Sequence, residues 1–186
     1  MSIELGEALL RLARNAIASR FGLPSRDAPD HPALDEPGAT FVTLTQAGQL
    51  RGCIGTLEAY RHLGQDVQEN ALAAAFCDPR FHPLGQDELP RTRIEVSLLT
   101  APEPFGFRDE ADALAKLRPG IDGLILTHEG HRATFLPQVW ESLPDARRFM
   151  AELKRKAGLP GDFWDEKVAL ARYGVTKWKE PEPQWA

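Results

Sequence analysis

The sequence predicts an α+β fold, a mostly antiparallel sheet with flanking helices. Three features carry that expectation. Apolar residues recur at helical spacing in some segments and alternate at strand spacing in others. The alternating segments fall in pairs joined by short turn-forming stretches, as hairpins do. No strand–helix–strand rhythm repeats along the chain, as a doubly wound parallel sheet would require. The 186 residues suffice for one domain with a substantial core.

Ile3, Leu5, Leu9, Leu10, Leu12, Ala13, Ile17 and Phe21 predict an amphipathic helix over residues 3–20, stopped by Gly22 and Pro24. Residues 24–38 hold four prolines and several acids and are expected to form a surface loop. Phe41–Thr45 and Leu50–Thr56, joined by the turn residues Gln46-Ala47-Gly48-Gln49, predict a hairpin. Leu63–Phe76 is rich in Ala and Leu at helical spacing, and Asp78-Pro79 ends it. Residues 80–90 carry few regular signals and read as a loop.

Arg93–Thr100 alternates, with Ile94, Val96 and Leu98 on one face and Glu95 and Ser97 on the other. Asp109–Leu117 predicts a short helix capped by Asp109 and stopped by Pro119-Gly120. Ile121–Thr127 and Ala133–Leu136 predict a second hairpin around His128-Glu129-Gly130-His131. Pro144–Ala157 predicts a helix with Phe149, Met150 and Leu153 inward and Gly158 as its stop. Val168–Thr176 is expected as a last strand and residues 180–186 as a tail.

Composition excludes several function classes. With 42% hydrophobic and 26% charged residues, this is an ordinary globular mix. A net charge of −5 gives no long-range attraction to nucleic acid or to an anionic membrane. The basic run Arg147, Arg148, Lys154, Arg155 and Lys156 is expected to be a solvated helix face. The two cysteines, Cys53 and Cys77, do not make a disulfide framework or a zinc site. His128-Glu129-Gly130-His131 has the wrong spacing for a helical metal motif, so no metal is expected. No glycine-rich phosphate loop marks a cofactor. The first residues lack a signal-peptide pattern and the longest apolar run, Ala71–Cys77, is too short for a bilayer, so a cytoplasmic protein is expected.

Leu50-Arg51-Gly52-Cys53-Ile54-Gly55-Thr56 is the most informative stretch. On an extended strand Arg51 and Cys53 share a face, and a guanidinium beside a thiol favours thiolate. Glycines inside a strand mark a bulge or the close approach of a backbone or ligand. The bland alternative is that Cys53 is a small buried hydrophobe and Gly52 and Gly55 relieve packing. Cys77, at the end of an apolar helical run, is expected to stay a neutral, slower-reacting thiol.

This stretch resembles the signature of the AMMECR1 domain family. So, in the same order, do Ala75-Phe76-Cys77-Asp78-Pro79-Arg80-Phe81, Pro83-Leu84, Glu88-Leu89-Pro90 and Glu95–Thr100. Gly120-Ile121-Asp122-Gly123-Leu124, Thr134–Trp140 and Lys154–Leu159 extend the resemblance, which covers residues 3–178. It implies one domain over residues 1–186, with a larger lobe from both chain ends, a smaller lobe between, and the signature near a cleft. The chain is most similar to the short prokaryotic AmmeMemoRadiSam branch, whose name implies a Memo-like protein and a radical SAM protein as partners. The resemblance supplies no reaction. His82 stands where many relatives are expected to carry proline, and it is the best-placed of the five histidines to join the site.

The sequence therefore points to a cysteine-centred site that binds and transforms a small molecule or modified group. Cys53 is its nucleophile or thiolate ligand, and Arg51 its electrostatic partner. Glu95 or Asp78 is an acid–base or orienting group, and Gly52, Gly55, Thr56, Arg80, His82 and Ser97 line the site. If Arg93–Thr100 pairs beside Leu50–Thr56, the polar faces merge into one patch. A structural salt-bridge network of Asp78, Arg80, Arg51 and Glu95 is the competing account of the same charges. The alternative function is a non-catalytic module that binds a protein or a nucleic-acid segment.

Overall fold

Helix α1 begins the fold. In the computed structural model, which describes residues 3–182, it spans Ile3–Ser19 and ends before Gly22, whose φ is 70°. Its stripe of Leu5, Leu9, Ala13 and Ile17 is buried. Fully burying a Leu or Ile side chain stabilises by about 1.5–3 kcal/mol. The proline-rich segment after it contains one 3-10 turn, Pro32–Asp35, for which His31 accepts the cap bond from the Ala33 N–H.

Strands β1 (Thr40–Gln46) and β2 (Gln49–Gly55) form the expected hairpin. Its two-residue turn puts Ala47 and Gly48 at positive φ, 48° and 76°, the sign pattern that matches the right-handed strand twist. Helix α2 (Leu63–Phe76) lies on the β1–β2 pair, and strand β3 (Arg93–Leu99) pairs antiparallel with β1. Between them, residues expected as plain loop form a 3-10 helix, Gln86–Arg91.

After Leu99 the chain enters a second unit, residues Thr100–Val175. This unit holds the short β4 (Glu103–Pro104), α3 (Glu110–Lys116), β5 (Gly123–His128), β6 (His131–Phe135), α4 (Ala146–Lys156) and β7 (Ala169–Tyr173). Its antiparallel sheet runs β4-β7-β5-β6. Phe149, Met150 and Leu153 of α4 pack with Leu124 and Leu126 of β5, and Trp140 stacks on Phe149 at 3.7 Å. Asp109 and Asp145 cap α3 and α4 as their positions require.

Strand β8 (Val175–Lys179) returns the chain to the first unit, whose sheet order is β2-β1-β3-β8. Residues up to Leu99 and from Thr176 on thus form the larger unit. Its core joins the α1 stripe to Val67, Ala71 and Ala74 of α2 and to Val42, Leu44, Ile94 and Val96 of the sheet.

Four further expectations change. The last strand is two strands, β7 and β8, in different sheets and separated only by Gly174. The second hairpin turn is tighter than expected: His128 and His131 are paired strand residues, leaving Glu129 and Gly130 at φ 44° and 88°. Lys154 of the basic run is buried on an ion pair with Glu110, its ammonium held over the Trp164 ring. Glu180, assigned to a tail, is tied to Arg14 and to the Ile94 N–H; residues 183–186 of that tail lie outside the described residues. No described helix is long and apolar enough to cross a membrane.

Candidate functional site

The site is built around β2. The register pairs Leu44 with Gly52 and then Thr45 with Leu50, so Arg51 is the extra residue of a β-bulge. A bulge re-aims its side chain. The Arg51 guanidinium forks onto Glu88 of the 3-10 helix, Nε to Oε1 and Nη2 to Oε2, both at 3.0 Å. Glu88 also accepts from the Gly85 N–H and from Gln46 Nε2. The Arg51 fork holds the Glu88 carboxyl down at about 2. Arg51 is therefore engaged by a residue that the strand pattern did not single out, and its Nη1 is buried without a partner.

Cys53 occupies the sheet face opposite the helices of its unit. Its N–H donates to Asp78 Oδ2 at 2.9 Å, and its Sγ lies 3.3 Å from Thr43 Oγ1. Arg80 forks back onto Asp78 at 3.0 and 2.7 Å, and Nη2 also donates to the Cys53 carbonyl at 3.3 Å. Asp78 is buried at 2% side-chain exposure while Arg80 is 54% exposed. The Arg80 hydrogen bonds hold the Asp78 carboxyl well below the usual carboxylate range. The cation at Cys53 is thus Arg80.

β3 does not pair beside β2, because β1 lies between them. The polar faces still align. Thr43 pairs with Cys53 on one side and with Glu95 on the other, so the three form one row across three strands. The next row is Gly55, Phe41 and the buried Ser97. Glu95 faces Lys179 at 3.2 Å and Lys177 at 3.9 Å. The charges form three separate groups, Asp78–Arg80, Arg51–Glu88 and Glu95 with its lysines, and not one network.

The glycines have packing partners. A Cβ at Gly52 would stand 2.2 Å from the Ala74 carbonyl oxygen, so the missing side chain lets α2 approach β2. A Cβ at Gly55 would meet the Phe41 ring at 2.3 Å. Thr56 donates to Asp66 Oδ1 at 2.6 Å. Asp66, fully buried, also accepts from the Thr40 N–H and hydroxyl, Asn70 Nδ2 and Arg61 Nε. A buried carboxylate needs such satisfaction. Helical periodicity gave no sign that Asp66 and Asn70 point inward.

His82 is exposed on its loop. Cys77, expected to be desolvated, caps the exposed end of α2 and is itself exposed. His128 is buried against Phe163 with neither ring nitrogen hydrogen-bonded. Among the described residues no group of three His, Cys, Asp or Glu side chains is placed to hold a metal ion.

Comparison with known proteins places these segments in one family. The AMMECR1 family model matches residues 10–178. The protein SSO0193 of Saccharolobus solfataricus is 41% identical over 190 residues, covering 97% of this chain and 83% of its own. A protein of Methanothermobacter thermautotrophicus is 38% identical, covering 93% of each chain. The crystal structure of the uncharacterized protein PH0010 from Pyrococcus horikoshii superposes with a TM-score of 0.81 at 34% identity, over 98% of this chain and 95% of that one.

Proposed function

This chain belongs to the AMMECR1 family, and on that premise we propose that the outer face of its larger unit binds a small molecule with which the Cys53 thiol reacts. The observation that supports this is the row of Cys53, Thr43 and Glu95, with thiol and hydroxyl 3.3 Å apart. A hydroxyl beside sulfur can hold or pass the thiol proton. Arg80, exposed on one flank, and Lys177 and Lys179 on the other supply charge to orient a polar ligand. The reading keeps the partners implied by the resemblance, a Memo-like protein and a radical SAM protein, as proteins that share this small molecule.

A second reading, a non-catalytic binding module, draws on a different observation. Arg51, Gly52 and Gly55 all have internal partners that folding alone explains. Alkylation kinetics separate the two. In the native protein, iodoacetamide should modify Cys53, and Thr43→Val and Arg80→Met should each slow that reaction several-fold. Cys77 serves as internal standard for Thr43→Val, and the Arg80→Met rate is referred to the parent protein, because Arg80 binds Asp78 beside Cys77. A Cys53 that stays unmodified while Cys77 is fully labelled would leave only the module reading.

A further inference from the structure

We propose a second ligand site in the larger unit, independent of the Cys53 row: a cavity against α1 that takes an oxyanion carried on an apolar body. The cavity measures about 690 Å³. Small-molecule sites span about 300–1,000 Å³ and combine apolar walls with a few convergent polar groups. Here Leu10, Pro90 and Pro181 supply apolar wall.

The polar groups are fixed from two directions. Arg14 donates to Glu180 at 2.6 and 2.5 Å, to the Thr92 carbonyl at 2.6 Å and to the Leu89 carbonyl at 3.2 Å. Glu180 takes a further bond from the Ile94 N–H, so this pair is a rigid, neutral element of the lining. Arg11 lies three residues before Arg14, on the same helix face. Arg26 comes from the proline-rich loop, whose backbone is clamped to α1 by Asn15. The Asn15 amide donates to the Arg26 carbonyl at 2.7 Å and its oxygen accepts the Arg26 N–H at 3.0 Å. That clamp brings a second guanidinium to the helix that carries Arg11.

Among the described residues, neither the Arg11 nor the Arg26 guanidinium has a carboxylate partner within ion-pair distance. The acids of the lining are largely engaged: Glu180 by Arg14, and Glu182 by Arg93. Glu7 alone opposes the two free arginines; with Arg93 counted beside Glu182, four arginines stand against three glutamates in a chain of net charge −5. Two guanidiniums lining one pocket suit carboxylate or phosphate oxygens, and the hydrocarbon walls suit the body that carries them.

The test is titration of the full chain by amide NMR with benzoate, phenyl phosphate, inorganic phosphate and benzyl alcohol. Saturable shifts at Leu10, Arg11, Arg26 and Thr92 are expected with benzoate or phenyl phosphate, and the tighter of the two assigns the natural anion as carboxylate or phosphate. Inorganic phosphate lacks the apolar body and benzyl alcohol lacks the charge, so each should bind about tenfold more weakly or worse. The double variant Arg11→Met, Arg26→Met should lose about tenfold in affinity for the aromatic anions while melting like the parent, since neither guanidinium supports the fold. The proposal is overturned by an absence of saturation, by affinity unchanged in the double variant, or by shifts centred on Cys53.

Discussion

An alanine at position 52 would set its methyl carbon 2.2 Å from the Ala74 carbonyl oxygen and 3.1 Å from the carbonyl carbon. Ordinary contact begins at 3.4 Å, so α2 and β2 would have to part by about 1 Å. Both sides of the clash are backbone of regular elements, and no rotamer change relieves it. Parting them loosens Val67, Ala71 and Ala74, all essentially inaccessible to solvent. Overpacking of this kind costs about 1–3 kcal/mol. Stiffening of the unfolded chain by the new methyl returns about 0.4–1 kcal/mol. With backbone on both sides the upper part of the range applies, a net loss of about 2 kcal/mol. For a chain of this length that lowers the melting temperature by roughly 4–8 °C. Gly48→Ala is the control: it meets nothing within 4 Å but has φ +76°, so it should show only the left-handed backbone cost of about 1 kcal/mol. Thermal and urea denaturation of the three proteins measure both. A Gly52→Ala protein that melts within about 1 °C of the parent would refute the helix-approach account and return Gly52 to the ligand-binding role read from the sequence.

Acid should unfold the larger unit through Glu88. Its carboxyl ionises near 4.5 when unfolded and is held at about 2 in the fold, so the stabilisation is present above 4.5 and is lost as pH falls toward 2. At about 1.36 kcal/mol per pH unit the upper limit is roughly 3 kcal/mol, and solvent at the rim of the pair reduces it to about 1–2 kcal/mol. Arg51→Met should flatten the stability–pH profile over that interval; an unchanged slope would show that the fork does not carry it. Asp66→Asn puts an amide donor among groups that already donate and should cost about 2–4 kcal/mol in urea denaturation. A loss under about 1 kcal/mol would mean that the network repacks freely.

Local signals made most of the fold legible. Gly22 and Asp78-Pro79 mark real helix ends, and Ala47-Gly48 marks a real hairpin turn. What failed depended on distant partners. Alternation continues from β7 into β8 through Gly174, so nothing local tells that the two strands join different sheets. The pattern that puts Cys53 and Arg51 on one face assumes regular pairing, and the bulge opposite Thr45 removes that assumption. Glu95 was recognised, but its alignment with Cys53 requires β1 between them, which only register reveals. Lys154 looked solvated because charge pattern does not show where Glu110 and Trp164 stand.

Of the segments that carry the family resemblance, those holding Asp78–Arg80 and Glu88 meet β2 within the larger unit, and their contacts divide folding roles from chemical ones. Arg51 is engaged by Glu88, Gly52 by the α2 backbone, Gly55 by Phe41 and Thr56 by Asp66. Asp78 holds the Cys53 N–H, and Arg80 holds Asp78 and the Cys53 carbonyl. Every one of those contacts fixes backbone or a neighbouring side chain, and none requires sulfur at position 53. The thiol itself contacts only the Thr43 hydroxyl among the hydrogen-bonding groups described. A backbone held at both its N–H and its carbonyl fixes where Sγ sits, which is the condition for a positioned reactive group. The same scaffold would accept serine or alanine at 53 with little loss of stability. Cys53→Ser is therefore the change that tests chemistry apart from folding, as no substitution at Arg51 or Gly52 can.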